Sequence, residues 1–512
     1  DQSGNNNDWT SNNLTESDIS VDSPTNNFCT LNPLDADALT TEGNLATVAN
    51  SAWKNIRGTM FVSSGKWYWE TVKTSTASVY AQNGAATSEP SLGEDYGDAQ
   101  NGLFVYSAHN GTKVGQGSAP ASYGDSYATG DVIGVALDMD NGTIKFYKNN
   151  TIQNSGTAAF TGITGDVAPW MSSYNNTMNA NFGQDSSFAG AKTAQGNQDG
   201  NDIGDFYYTP PTGFLALCTS NLPDVAVVPS EHFNTVLWTG NDADDRSISG
   251  VGFQPDFTWN KARNRAGGDG YYLYDAIRGA TKVLYSNATN AEATEGNALQ
   301  AFESDGFQMG SDSNSNSSSY NYVAWNWKAG TSVSGNSTGA GDDIAYTGSV
   351  NTDAGFSIIK YGGNGTTGHQ IPHRLGVVPD AIFIKSLTTQ SWNCWFPNTS
   401  MGGTKMMQLD NTGATSTVSW LNNKMPTTSV VELEAGAATN TRDGNNDPQP
   451  YIMYSWANKD GYSKVGEYTG NISSGTADGT FVYTGFRPAW VMIKDTEQAV
   501  DWAIYDSTRL GF

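Results

Sequence analysis

The chain has 512 residues, too many for one hydrophobic core and enough for about three to four domains. Its formal charge of −25, from 26 Lys and Arg against 51 Asp and Glu, argues against nucleic acid and anionic membranes as partners. No apolar run approaches the roughly 20 residues of a membrane span, so membrane insertion is not expected. Charged residues make up only 15% and aromatics reach 12%, while Gly, Asn, Ser and Thr abound. That palette favours strands joined by tight turns over long helices, and the chain reads as all-β and multidomain. Acidity with few lysines suits a salty extracellular setting, where charge is screened. No signal peptide is visible, but the sequence starts at Asp1 rather than Met, so a segment before it is compatible with what is seen.

In chain order, residues 1–27 read as a linker or the end of a preceding module, and a first sandwich domain spans 28–223. Cys29 opens "CTLNP" and Cys218 opens "CTSNLP" at its two ends. With Cys394 these are the three cysteines, too few for a disulfide scaffold. A Cys29–Cys218 bridge requires the first and last strands to be neighbours; two buried free thiols are the other reading. "GKWYWETVK" (65–73) alternates large aromatics, a strand with both faces occupied. "DVIGVALDMDNGTIKFYKNN" (131–150) is two strands around Asn141-Gly142, a strong hairpin signal. "VAPWMS" (167–172), "NANFGQ" (179–184) and "GFLALC" (213–218) add further strands, making an antiparallel sandwich. Asp138 and Asp140 alternate as calcium ligands do, but "TIKFYK" follows where more oxygen ligands would be needed, which favours a turn.

The motifs "VSSGKWYWET", "DVIGVALDMDNGTIKFYKNN", "APWMS" and "NANFGQ", in this order, resemble the SPRY domain, a concanavalin-like sandwich. The resemblance implies a recognition module whose partners bind loops at one edge, with no catalysis of its own. "GEDYGD" (93–98), carrying Tyr96, is a candidate binding loop; an ordinary solvated loop is the alternative. The flanking "NNFCTLNPLDADA" and "PPTGFLALCTSNLP" are similar to SPRY-containing structural proteins of marine tailed phages. The opening "DQSGNNNDWTSNN" resembles the end of a lectin-like sandwich found before SPRY in such proteins.

Three later segments share an order of features. "VLWTGNDADDRSISGVGFQPDFTWNK" (236–261), "IIKYGGNGTTGHQIPHRLGVVPDAIFIK" (358–385) and "VGEYTGNISSGTADGTFVYTGFRPAWVMIK" (465–494) each run aromatic, Gly-Asn, proline turn, then a strand to Lys. Pro255, Pro379 and Pro488 mark the equivalent turns. The first two segments close on aromatic strands, "YNYVAWNWKAG" (320–330) and "PYIMYSWANKDG" (450–461). The expectation is tandem β-sandwich-like repeats at 231–335 and 343–462, with a third at 463–512 that is incomplete because only 24 residues follow Pro488, so that the chain is expected to continue past Phe512. Completion by a neighbouring subunit is the competing reading. The repeats resemble an uncharacterised β-domain that follows SPRY in the same phage proteins, which implies an elongated, fibre-like array.

A search for chemistry finds little. His369 and His373 in "HQIPHRLG" have i, i+4 spacing, but Pro372 forbids a regular helix and no carboxylate or cysteine accompanies them. No nucleophile elbow, P-loop, zinc-helix or dinucleotide glycine pattern appears. Clusters at 196–202, 240–246 and 442–448 have residues suited both to turns and to a weak structural calcium ion; no other cofactor is expected. "SWNCWF" (391–396) sets Trp392, Cys394 and Phe396 on one face and Trp395 on the other. Trp392 and Trp395 are therefore candidate platforms for a sugar ring, or core residues.

The combined expectation is a non-enzymatic virion structural protein of a tailed phage, extracellular on the particle: a tail fibre or related appendage recognising a host-surface glycan or protein. Other virion proteins and further copies of the chain would be its partners; trimers are common among fibres of this kind. A capsid-attached decoration fibre, a secreted bacterial adhesin and a polysaccharide depolymerase are the alternatives.

Overall fold

The structure, a computed structural model, describes residues 21–23, 25–93, 100–223, 227–265, 270–418, 423–436, 438–470 and 480–510. Its regular secondary structure is almost entirely strand, with two short 3-10 turns and one four-residue helix, Ser507–Leu510, among the described residues. The chain divides into two compact units, residues 1–224 with 470–483, and 225–469 with 484–512.

The first unit is a sandwich of two sheets. One runs Leu31–Ala36, Trp53–Gly58, Ala168–Tyr174, Ala81–Ala86, Leu103–Ser107, Thr112–Gly115, Ser118–Ser122. The other is centred on Lys66–Lys73, between Val132–Asp138 and Met178–Asn181. Trp67 and Trp69 point into the main core between the sheets, while Tyr68 on the other face packs with Phe206 and Cys218. The expected hairpin forms with Asp138 opposite Thr143. Asp138 accepts the Asn141 N–H (3.0 Å), and Gly142 has φ +60°, where a Cβ would meet Ile163 O at 2.7 Å. The strand expected at 213–218 shortens to Leu215–Ala216, and it pairs parallel to Trp67–Tyr68.

First and last strands do meet, yet Cys29 and Cys218 are free thiols. The register explains why. Phe28 bridges Cys218, and the Cys29 N–H donates to Leu217 O (2.9 Å), so Cys29 turns into the main core while Cys218 turns to the opposite side. Burial pushes the Cys29 thiol up to about 11, with local hydrogen bonds opposing.

In the second unit, two larger sheets are each backed by a three-stranded sheet. The first orders Phe233–Thr239, Asn321–Trp327, Phe257–Ala262, Tyr272–Asp275, Lys282–Tyr285, Ala293–Thr294. The second orders Thr331–Asn336, Ala345–Asn351, Phe356–Gly363, Gln449–Trp456, Ala381–Ser386, Asn393–Trp395. The aromatic strands Asn321–Trp327 and Gln449–Trp456 thus lie inside their sheets, paired on both edges. A third hairpin, Trp490–Ile493 with Ala503–Asp506, stands as a two-stranded sheet.

These three parts are not modules in a row. Trp259, Trp325 and Trp327 share one core with Phe356, Phe383, Trp392 and Tyr454, and Trp490, Met492, Trp502 and Ile504 pack against it. Trp327 alone touches rings of all three parts: Phe257 at 5.4 Å, Trp456 at 6.3 Å and Trp490 at 5.4 Å between centroids.

The hairpins also make corresponding contacts. Each begins two residues after its proline: Phe257 after Pro255, Ala381 after Pro379, Trp490 after Pro488. In the first, Arg278 binds the Asp275 carboxylate through Nε and Leu273 O through Nη2 (2.9 Å); in the third, Arg509 binds Asp506 and Ile504 O (2.8 Å) in the same way. Asp275 accepts the Tyr454 hydroxyl of the second aromatic strand (2.6 Å), and Asp506 accepts the Trp325 indole N–H of the first (3.1 Å). By strand register, Trp325 and Tyr454 hold one position, opposite Trp259 and Phe383. Trp392 donates to Tyr285 O (2.8 Å) and Trp502 to Gln408 O (3.0 Å).

Candidate functional site

At one end of the seven-stranded sheet of the first unit, four rings from four neighbouring strand ends come together. Antiparallel pairing brings the start of Trp53–Gly58 beside the end of Ala168–Tyr174, with Tyr174 directly opposite Trp53. The next strand begins just after Tyr80, and its neighbour ends just before His109. Centroid distances are 6.0 Å for Trp53–Tyr80, 6.1 Å for Trp53–Tyr174, 6.2 Å for Tyr80–Tyr174 and 4.9 Å for Tyr80–His109.

His109 is exposed, the three other rings are half-buried, and Val79 beside them is exposed. Half-burial means that each of those rings is partly enclosed by its neighbours and partly open to solvent. Asn176, fully buried, does much of the holding: its amide donates to Tyr80 O (2.8 Å) and Tyr174 O (3.0 Å), and its carbonyl accepts the Ser78 N–H (3.3 Å). The Tyr174 N–H adds a backbone bond to Tyr80 O (3.2 Å). Exposed Asn50, Asn110 and Asn175 rim the patch. Flat apolar rings with amide donors and acceptors around them suit stacking on a sugar or clamping a protein side chain.

Elsewhere in this unit, the buried carboxyl of Glu70 accepts the backbone N–H groups of Tyr207 and Tyr208 (2.8 Å each), the Tyr68 hydroxyl and the Asn181 amide. Burial outweighs these donors and pushes Glu70 up to about 7. With its acceptors occupied, Glu70 serves as a structural clamp on the 207–208 segment.

Tyr96 lies outside the described residues. Trp392 and Trp395 are both 0% exposed, so neither is a sugar platform. Trp392 belongs to the shared core, and Trp395 turns to the other face of its strand, where its indole donates to Gly402 O (2.6 Å). His369 and His373 are buried and engaged separately. The rings of His369 meet Asn440 (3.0 Å) and Ser337 (2.7 Å); His373 meets Thr427 O (3.0 Å) and the Leu375 N–H (3.3 Å). In the acidic clusters, carboxylates are engaged by the protein itself: Asp199 accepts from the N–H groups of Asn201, Ile203 and Ala216, Asp242 from that of Ser318, and Asp443 from those of Asn445 and Asp447. No group of three His, Cys, Asp or Glu suited to a metal ion occurs among the described residues. A polar cleft of about 570 Å³ lies beside Asp342, Asn364 and Arg442, but that guanidinium is already held by Asp342, Asn364 O and Asn446 O.

The fold defines an all-β protein whose N-terminal sandwich is SPRY-like and is followed by further β structure. The SPRY domain family model matches residues 66–185, which span the central strand and its hairpin. The chain belongs to the family described as a domain of unknown function, DUF7483, whose model matches residues 228–512. That match takes in the whole shared-core region as one domain. Among solved structures, the SPRY domain of human HERC1 is 18% identical with a TM-score of 0.26, covering 29% of this chain and 96% of its own. Another human SPRY domain is 13% identical (TM-score 0.24; 28% and 93% covered), and the PSpry domain of TRIM65 is 12% identical (TM-score 0.25; 30% and 92%). No curated protein matches the chain.

Proposed function

We propose that this is a recognition protein without catalysis of its own, a component of a tailed-phage virion such as a tail fibre or related appendage, binding a host-surface glycan or protein. The observation that carries the reading is the aromatic cluster of Trp53, Tyr80, His109 and Tyr174, held by Asn176 at one end of the SPRY-like sandwich. The phage setting rests on the likeness of residues 26–38 and 210–223 to such proteins, and the strong negative charge fits an extracellular surface. Corresponding contacts at the three hairpins support reading residues 231–335, 343–462 and 463–512 as repeats, arranged about a shared core rather than strung out. Several copies of the chain on one particle would add avidity.

The test is binding of the intact chain to host-envelope fractions and a glycan array, compared with Tyr80→Ala and Trp53→Ala. Aromatic hot-spot behaviour predicts a loss of about tenfold or more in affinity for each variant with little change in melting temperature. Full binding by both variants would contradict the assignment of this site.

A further inference from the structure

His232 stands where the first part of the second unit meets the second part. It follows the 3-10 turn Pro229–Glu231, and its carbonyl accepts the Lys328 N–H (2.9 Å), one step beyond the pairing of Phe233 with Trp327. Asn351, the last residue of Ala345–Asn351 in the second sheet, reaches across to it. The amide nitrogen of Asn351 lies 2.8 Å from His232 Nδ1 and donates to Lys328 O (3.1 Å). Its amide oxygen accepts the Ala354 N–H (3.0 Å). A carbonyl only accepts and a backbone N–H only donates, so Lys328 O and the Ala354 N–H fix the orientation of this amide from both ends. The group facing His232 Nδ1 is therefore a donor. The imidazole answers it with a lone pair on Nδ1 and carries its own proton on Nε2.

A second proton on the ring would set Nδ1–H against the Asn351 NH2 group. Turning the amide over would bring two acceptors together at Lys328 O and two donors together at the Ala354 N–H. We propose that the His232–Asn351 contact is an acid-released latch between the first and second parts, closed by the neutral imidazole and opened when Nδ1 takes up a proton. Lys328, on the paired strand end, opposes that proton. Glu231, on the ring's own turn, and Asp353, in the turn after Asn351, favour it. Tyr462, from the 459–463 turn, meets the ring edge-on at 6.0 Å between centroids, and burial keeps its hydroxyl neutral. Burial of the imidazole is the largest influence and, with Lys328, outweighs the two carboxylates, holding the group below the ordinary histidine range. As pH falls the unfolded chain takes up this proton first. The latch therefore contributes fully above about pH 6.5, and its contribution is lost as the pH drops from there through the lower folded value. The latch lies within the second unit and does not depend on the aromatic cluster of the first.

The test uses the intact chain with isotope-labelled histidine, and the four histidines are assigned by single substitutions. Long-range proton–nitrogen correlation spectra read the tautomer at pH 8 and the midpoint of His232 on titration. Hydrogen exchange, corrected for its intrinsic pH dependence, reads protection of residues 351–355 at pH 8 and at one unit below that midpoint. The expected result is a proton on Nε2, a midpoint below 6.5, and about a fivefold loss of protection in acid, the worth of one net hydrogen bond. His232→Asn sets a non-titrating acceptor at the Nδ1 position and should keep the protection in acid. Asn351→Asp offers the imidazolium a carboxylate and should move the midpoint above 6.5. A proton on Nδ1 at pH 8, or a midpoint at or above 6.5 in the unaltered chain, would overturn the latch. So would unchanged protection below the midpoint. An acid loss that persists in His232→Asn would overturn it too, placing the effect in another group such as the buried His373.

Discussion

Tyr274, Trp395 and Tyr505 occupy the same place in three hairpins, and only the third faces solvent. The first two are covered by the three-stranded sheets that contribute Ile248, Phe307 and Met309 in one case and Ile371, Val431 and Leu433 in the other. The third hairpin has the inward face of its relatives, with Trp490 and Ile504 against the shared core, but among the described residues neither a backing sheet nor an inner aromatic strand pairs with it. One local sequence pattern therefore yields a buried strand or a half-exposed one, depending on what else packs on it. Pattern specifies the hairpin; burial comes from its neighbours.

The largest expected effect separates the two Asp–Arg pairs. Asp275 and Arg278 have fully buried side chains, so Asp275→Ala leaves the guanidinium with Glu292, at 3.4 Å, as its remaining ionic partner, takes the acceptor from the Tyr454 hydroxyl, and should cost about 3 kcal/mol in urea unfolding. In the third hairpin Arg509 keeps 22% of its side chain in solvent, and Asp506→Ala should cost only about 1–2 kcal/mol. Equal losses would erase the distinction between the hairpins.

Next is the pair Tyr274→Ala and Tyr505→Ala. The first opens a cavity between two sheets and should cost about 3 kcal/mol or more. The second removes a half-exposed ring and should stay within about 0.5 kcal/mol. The same urea unfolding curves check both.

How much of this was legible in the sequence depends on how far apart the partners lie. The Asp138–Gly142 turn was, because a hairpin is decided by adjacent residues. The proline–strand–Lys pattern located the opening strand of each of the three hairpins to within a residue or two, through Pro255, Pro379 and Pro488. "SWNCWF" announced two occupied faces but could not say what covers them; the answer, core on both, depends on residues such as Tyr285 and Gly402. The aromatic cluster was missed because Trp53, Tyr80, His109 and Tyr174 are contributed by four separate strand ends far apart in the sequence. A usable signal was present: three of those rings stand immediately at strand ends, where a core residue is not required. The sharing of one core by three segments was hidden for a related reason. Alternation reveals that a face is apolar without revealing that its partner is the neighbouring segment.

A smaller effect sharpens the comparison through a lysine. Lys385 and Lys494 hold the same position in the second and third hairpins, and each donates to a carbonyl just beyond its strand, Thr388 O (3.0 Å) and Asp495 O (2.8 Å). Burial pushes Lys385 down to about 8, with Asp410 opposing and Arg278 assisting; Lys494 is shifted down by burial too, in a more open setting. The folded chain thus binds fewer protons than the unfolded chain between about pH 8 and the ordinary lysine range. Stability should rise with pH across that window, by up to about 2 kcal/mol between pH 8 and 9.5. Lys385→Gln should flatten the rise and Lys494→Gln should leave most of it, as read by urea midpoints at a series of pH values.

The most direct test of the central claim, that one hairpin pattern is buried or left half-exposed by what packs on it, is native-state hydrogen exchange on the intact chain at Phe257–Ala262, Ala381–Ser386 and Trp490–Ile493. The account predicts strong protection throughout the first two strands, and fast exchange at the amides of the third that do not face Ala503–Asp506. Uniform protection of all three would contradict it.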